Sequence, residues 1–343
     1  MRRSVSYIKN LLLMTFISLI TCVNGFTQDF HVSQFQNSPL ILNPARTGIF
    51  VGDIRFIGNY RNQWKSVSEP YTTFSASVDA KLNRWSDERN ITGAGLVVFH
   101  DKAGDSKLST LFTGLSISWT RLLDRDGIHA VTGGIQIGYN ARSIDYSELT
   151  FDEQYDGDVF NPDLGNTETF DGNNHGFADI SAGLVYTLKL GEETHIGAGV
   201  SMQHLNSPDD SFFGESVSVP TRLQTDLLLD ARLTDRFDLI PTVLYQQQGS
   251  ASELVAGTSL RININDKPGK LYNFYVGGFL RTSDAIILSA GLDYNFLHAA
   301  FSYDINTSDL ERASNNKGGP ELSLIYIIKK VKPTKIKPPC PVY

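Results

Sequence analysis

The stretch Thr73-Phe-Ser-Ala-Ser-Val-Asp-Ala-Lys-Leu82 puts Phe74, Ala76, Val78, Ala80 and Leu82 on one parity and Thr73, Ser75, Ser77, Asp79 and Lys81 on the other. Side chains alternate across a β-strand with a period of two, so this is a strand with one oily face and one wet face. The same period returns at 131–140, 225–233, 299–306 and 322–328, and no later segment carries a convincing helical period. Such strands need a place for their oily faces. A water-soluble sandwich turns them into a core, whereas an outer-membrane barrel turns them toward lipid and keeps the wet faces inside.

The first residues bear on that choice. Arg2, Arg3 and Lys9 precede the apolar run 11–20, and the small residue Gly25 follows, which is the layout of a secretory signal peptide. Cleavage is expected within 25–28, leaving residues 1–28 as the leader. Cys22 suggests lipoprotein processing as a rival, but Leu19-Ile20-Thr21 matches its small-residue context poorly. The apolar run falls short of the roughly 20 residues of a membrane helix, so a membrane role must come from strands. Without the leader's three basic residues, 27 Lys and Arg face 37 Asp and Glu, a net charge of −10 that disfavours a general nucleic-acid binder. Cys340 would be the only remaining cysteine, so no disulfide can form within the mature chain.

Strand candidates fall at about 52–64, 71–82, 92–103, 108–122, 127–141, 176–189, 194–205, 219–233, 237–248, 252–264, 271–281, 285–294, 297–306 and 320–329. That is about fourteen, an even number, as bacterial barrels require. The expected fold is therefore all-β, a transmembrane antiparallel up-and-down β-barrel over 51–330. Residues 29–50, interrupted by Pro39 and Pro44, read as an irregular, extended lead segment. Residues 331–343 form a basic, proline-rich tail. With an even strand count, the lead segment and the tail are both expected in the periplasm. The long, acidic stretch 142–175 is the leading surface-loop candidate. Aromatics near strand ends, among them Phe56, Tyr60, Trp64, Trp119, Tyr272, Phe274 and Tyr275, suit a headgroup-level girdle, though a sandwich would bury the same residues.

Catalytic signatures are missing: there is no Gly-x-Ser-x-Gly, His-Glu-x-x-His, Gly-x-x-x-x-Gly-Lys or Cys-x-x-Cys. A barrel-embedded hydrolase would rest on His204 with Ser201 or Ser207, and the plainer reading makes His204 a wall or rim residue. Asp156, Asp158, Asp163 and Glu168 offer hard oxygen ligands for calcium, but Phe160 and Asn161 break the twelve-residue loop pattern, so a solvated acidic loop is favoured. Lys329, Lys330, Lys332, Lys335 and Lys337 suit anionic headgroups, an acidic periplasmic partner, or a simple soluble tail. No cofactor or metal is implied.

Ser33-Gln34-Phe35 followed by Pro39-Leu40-Ile41-Leu42-Asn43-Pro44-Ala45 and Gly48 resembles the N-terminal signature of the PorP/SprF family of Bacteroidota. Further blocks follow in the family's order: Tyr60-Arg61-Asn62-Gln63-Trp64, Tyr71-Thr72-Thr73 with Asp79, Phe99-His100-Asp101-Lys102-Ala103-Gly104, and His204-Leu205-Asn206-Ser207-Pro208. Pro241 with Leu244-Tyr245-Gln246-Gln247-Gln248-Gly249, Arg281 with Asp284-Ala285, Phe301-Ser302-Tyr303-Asp304-Ile305, Glu321-Leu322-Ser323-Leu324-Ile325-Tyr326 and Cys340-Pro341 complete the succession.

The resemblance implies a non-enzymatic outer-membrane barrel of the type IX secretion system, which exports adhesins and enzymes. Members act as secretion components or as surface anchors for large adhesins, including gliding ones. The implied partners are outer-membrane lipid, a cargo adhesin, and a periplasmic peptidoglycan-associated protein reached by the lead segment and tail. Gln34, Phe35, Pro39, Asn43, Pro44, Arg61, Trp64, Asp101, His204 and Cys340 are the motif residues that partner contact would involve. Asn43-Pro44 is expected to fix a turn feeding the first strand. Arg61 and Asp79 are expected on inward faces, where charges pair away from lipid. A channel for small solutes is the alternative, since a fourteen-stranded lumen can stand open.

Overall fold

A computed structural model of the chain describes residues 29, 31–65, 69–82, 89–104, 106–161, 164, 172–191, 193–212, 216–265, 271–308 and 311–329. Residues 1–28 with Cys22, residues 331–343 with Cys340, and the loop acids Asp163 and Glu168 lie outside these residues. The two-residue period becomes fourteen strands: β1 (Ile54–Gln63), β2 (Tyr71–Lys81), β3 (Asn90–Ala103), β4 (Leu108–Leu122), β5 (His129–Ser143), β6 (Asn174–Leu190) and β7 (Thr194–Gln203). The second half holds β8 (Arg222–Arg232), β9 (Phe237–Gln248), β10 (Ala251–Asn265), β11 (Tyr272–Arg281), β12 (Ala285–Tyr294), β13 (Leu297–Asn306) and β14 (Lys317–Ile328). Each strand pairs antiparallel with its neighbours in sequence, and β1 pairs with β14, so the sheet closes. Closure satisfies every edge N–H and C=O, which hydrocarbon would otherwise leave unpaired.

Which face points inward decides between sandwich and barrel. On β4, Ser116, Ser118 and Thr120 are buried, while Leu115 is 67% exposed, Ile117 49% and Trp119 54%. On β2, Thr73, Ser75 and Asp79 are buried while Phe74 is exposed. The oily parity faces outward, the inverse of a soluble sandwich and the pattern of a lipid-facing wall. Phe56, Tyr60, Trp119 and Phe274 are exposed on that wall. Tyr275 does not join them: its parity is inward, and its hydroxyl donates to Asp293 Oδ2 at 2.5 Å.

One end of the barrel carries the long connections 144–173, 204–221 and 307–316, and the other the short turns 123–128, 191–193, 233–236 and 295–296. Long loops mark the outer side of such barrels and short turns the periplasmic side.

The expectation for residues 29–50 needs correction. The segment neither runs extended nor lies beneath the barrel; it threads the lumen as a plug. Asp29 sits at the outer mouth beside His204 and Gln248, and the chain descends to enter β1 from the periplasmic end. A 3-10 turn (Phe35–Asn37), an α-helical turn (Pro39–Leu42) and a second 3-10 turn (Pro44–Arg46) follow one another. Pro39 and Pro44 each begin a turn, where a missing N–H leaves no hydrogen bond unmade. The two apolar clusters lie where plug meets wall: Phe35 and Leu42 with Leu244, Val255, Phe279 and Ile287, and Leu40 with Val97 and Phe112.

The wall makes room for the plug through glycine. A Cβ on Gly134 would stand 2.5 Å from the Ala45 backbone, and one on Gly93 2.6 Å from the Thr47 carbonyl oxygen, so at these positions two backbones touch with nothing between them. By contrast, a Cβ on Gly197 of β7 meets nothing within 4 Å. Gly134→Val is accordingly expected to dislodge the plug, raising ion conductance in planar bilayers and protease sensitivity within 33–50, while Gly197→Val leaves both at the wild-type level.

Candidate functional site

The polar inward faces converge on the plug at three levels. Nearest the outer half, strands β1, β11, β13 and β14 contribute Arg61, Arg281, Asp304 and Glu321, all buried. The backbone N–H groups of Ser33 and Gln34 donate to the two oxygens of the Glu321 carboxylate at 2.8 and 3.0 Å. Ser33 Oγ donates to Asp304 Oδ2 at 2.7 Å and accepts from Arg281 Nη2 at 2.7 Å. Arg61 Nη2 and Arg281 Nη1 donate to Asp304 Oδ2 at 2.8 and 3.1 Å, and Arg61 also donates to the His31 carbonyl. Gln34 Nε2 completes the lock on Ser302 Oγ and the Glu321 carbonyl. The four wall side chains balance as two cations and two anions, and charge-assisted bonds such as these are about twice as strong as neutral ones.

At the middle level the wall satisfies the plug's own backbone. Short helical turns leave C-terminal carbonyls without partners. Here Gln136 donates to the Leu40 carbonyl (3.3 Å), Gln203 to Ile41 (2.6 Å), Ser201 to Leu42 (2.8 Å) and Ser118 to Thr47 (2.6 Å). Asn43 accepts from the Ala45 N–H at 2.9 Å, and its amide donates to the Leu184 and Val200 carbonyls of β6 and β7. Arg46 pairs with Asp226. Asp79 takes the Gly48 N–H at 2.7 Å while held by Arg55 at 2.8 and 2.9 Å.

The third level is the outer mouth. His204 leaves β7 with a φ of +56°, a left-handed conformation that turns its ring inward. Its Nε2 meets Asp29 Oδ2 at 2.6 Å and its Nδ1 meets Asp179 Oδ1 at 3.1 Å. Gln248 grips Asp29 twice, accepting from its N–H and donating to its carboxylate. Burial works against the charged imidazole, but the hydrogen bonds to Asp179 and Asp29 outweigh it and push His204 up to about 9.

Residues 24–326 match the family model described as type IX secretion system membrane protein PorP/SprF. The chain belongs to the PorP/SprF family. Among solved structures, the toluene transporter TbuX of Ralstonia pickettii aligns with a TM-score of 0.53 at 11% identity, over 84% of this chain and 92% of that one. The deltaS2 mutant of the TodX monoaromatic hydrocarbon channel aligns with a TM-score of 0.50 at 11% identity, over 84% and 93%. Identities this low show a shared outer-membrane barrel fold and nothing finer. A comparison with curated proteins found no match.

The PorP/SprF motif blocks, scattered through the sequence, meet at the plug. Ser33, Gln34, Arg61, Arg281, Asp304 and Glu321 come from five separate blocks and form one cluster. Arg61 and Asp79 are inward and paired, as expected, with Asp304 and Arg55 respectively. Asn43-Pro44 does make a turn, but it is stitched to β6 and β7 in the lumen and not placed directly before β1. Gln34, Phe35, Pro39, Asn43 and Pro44 are buried, so the chain itself covers them. Trp64 packs edge-on against Tyr71 at the outer end of β1, with ring centroids 4.8 Å apart. Asp101 accepts from Thr73 Oγ1 at 2.5 Å inside the lumen.

His204 stands at the rim with both ring nitrogens facing carboxylates, and Ser201 Oγ donates to the Leu42 carbonyl of the plug. Asp156 caps its own turn by accepting from the Asp158 and Val159 N–H groups, and no metal-binding group of three ligands occurs among the described residues. Sequence reasoning assigned no role to Glu321, Asp304, Asp179 or Asp29. The available signal was an acidic residue on the inward parity of a strand, or just ahead of the plug.

Two outcomes follow from this geometry. Asp304→Ala leaves two buried guanidiniums short of their shared partner, at a cost of about 3–5 kcal/mol, read as a lower urea midpoint of the refolded barrel. For His204 the folded-state value lies above the ordinary 6.5, so its contribution is complete below about 6.5 and lost as pH rises through about 9. The urea midpoint should therefore fall across that window, and His204→Gln should flatten the fall.

Proposed function

We propose that this chain is a plugged, non-enzymatic outer-membrane component of the type IX secretion system that aids the export of large adhesins or their retention at the cell surface. Family membership and the closed barrel support the secretion role. The observation that carries the reading is the lock itself. Residues of separate family blocks, Ser33, Arg61, Arg281, Asp304 and Glu321, are used to hold the lumen shut, a design suited to a scaffold. Cargo meets the outer loops, the leader is removed on export, and the basic tail reaches a peptidoglycan-associated protein in the periplasm. Deleting the gene is expected to deplete a specific large surface protein with loss of adhesion or gliding. An unchanged surface proteome with unchanged motility and adhesion overturns the proposal.

The second reading is a channel for small solutes. Its support is the fold shared with TbuX, whose description is a toluene transporter, and the lumenal plug weighs against it. Planar bilayers separate the two: the scaffold reading expects near-silent wild-type protein, whereas steady conductance without any substitution favours the channel.

A further inference from the structure

Between the plug and the outer half of β3–β6 lies a cavity of about 150 Å³, roofed by Val217–Pro220 of the connection between β7 and β8. Its floor and one side are apolar. Ile41 of the plug faces Phe99, Phe112 and Phe177, and the Phe99 and Phe112 rings stack at 5.0 Å between centroids. An apolar cavity of roughly this volume accommodates one benzene ring.

The opposite side is polar, and two kinds of polar group stand there. The cationic groups are already matched: Arg142 pairs with Asp210 and His204 with Asp179 and Asp29, while Asp101 accepts from the Thr73 hydroxyl. Among the neutral groups, Gln136, Gln203 and Gln248 bond to the plug, and two others do not. Asn140 and Ser181 are 4% and 3% exposed, both line the cavity, and neither side chain hydrogen-bonds to another described residue. Their strands put them on the same inward parity, Asn140 opposite Phe177 and Ser181 opposite Gln136. A buried amide and hydroxyl without partners each forgo a bond worth making, so a group that both donates and accepts fits there better than a hydrocarbon. An anionic ligand has no unpaired cation to meet among the described residues.

We propose that this cavity is a binding site for a neutral phenolic ring, whose ring lies among Phe99, Phe112 and Phe177 and whose hydroxyl bonds to Asn140 and Ser181. A phenol titrates near 10 and is neutral under ordinary conditions. The same chemistry arrives as a free small phenol or as a tyrosine side chain of a surface polypeptide entering past the exposed Val217. The site does not depend on the secretion role: a phenol can bind whether or not cargo export fails.

The test uses the full-length barrel in lipid nanodiscs, with 4-fluorophenol followed by fluorine NMR and 4-fluorotoluene as the ring without a hydroxyl. Saturable binding of the phenol is expected, at least tenfold tighter than the toluene. Ser181→Phe, which fills the void, is expected to abolish it, and Asn140→Leu to weaken it about tenfold. Heat-modifiable migration on gels reports that each variant is folded. Displacement by N-acetyl-tyrosinamide points to a polypeptide side chain as the natural source, and its failure points to a free phenol. Non-saturable uptake equal in wild type and folded Ser181→Phe, which is partition into lipid, overturns the proposal, as does equal affinity for phenol and toluene.

Discussion

Two carboxylates and two guanidiniums, closed off from water inside the barrel, grip a pair of backbone N–H groups at Ser33 and Gln34. Bringing such charges out of water is costly, and their mutual pairing offsets it. The arrangement is therefore stable as a whole and unstable in any of its parts. With the plug in place, Glu321 has two amide donors and Asp304 two guanidiniums and a hydroxyl. Without it, Glu321 would lose both amide donors and Asp304 its hydroxyl donor. The lumen is held shut by electrostatics at the top and by close contact farther down.

That close contact depends on what the strands leave out. Where Gly134 and Gly93 meet Ala45 and Thr47, the absence of a side chain lets the plug approach the wall at backbone distance. Once there, Asn43 can reach the carbonyls of two strands, and Gln136, Gln203, Ser201 and Ser118 can reach the carbonyls of the plug. The polar lumen is thus a template for one particular irregular segment. At the outer mouth Asp29, His204 and Asp179 form the last latch.

Much of the architecture was legible because lipid and lumen impose opposite demands on alternate residues. The Thr73–Leu82 stretch, with Phe74 outside and Asp79 inside, states both demands in one strand, and repetition carried the reading around all fourteen. The plug was misread for a related reason. Its turns at 35–37, 39–42 and 44–46 are each shorter than the period needed to reveal a helix, and its two prolines resemble breaks as readily as they begin turns. Tyr275 shows the same limit on a smaller scale, since an aromatic at a strand end signals a girdle only when its parity is outward.

What the sequence by itself determined is the strand, its two faces and the number of strands, because these follow from alternation between neighbours in the chain. It also presented the blocks that identify the family. What only the tertiary structure decided is which distant residues share a point in space: that Ser33 reaches Asp304 across 271 positions, and that Asn140 and Ser181 stand beside three phenylalanines around a void. Those meetings are set by closure of the sheet and by the path of the plug through it, and no local pattern encodes either one.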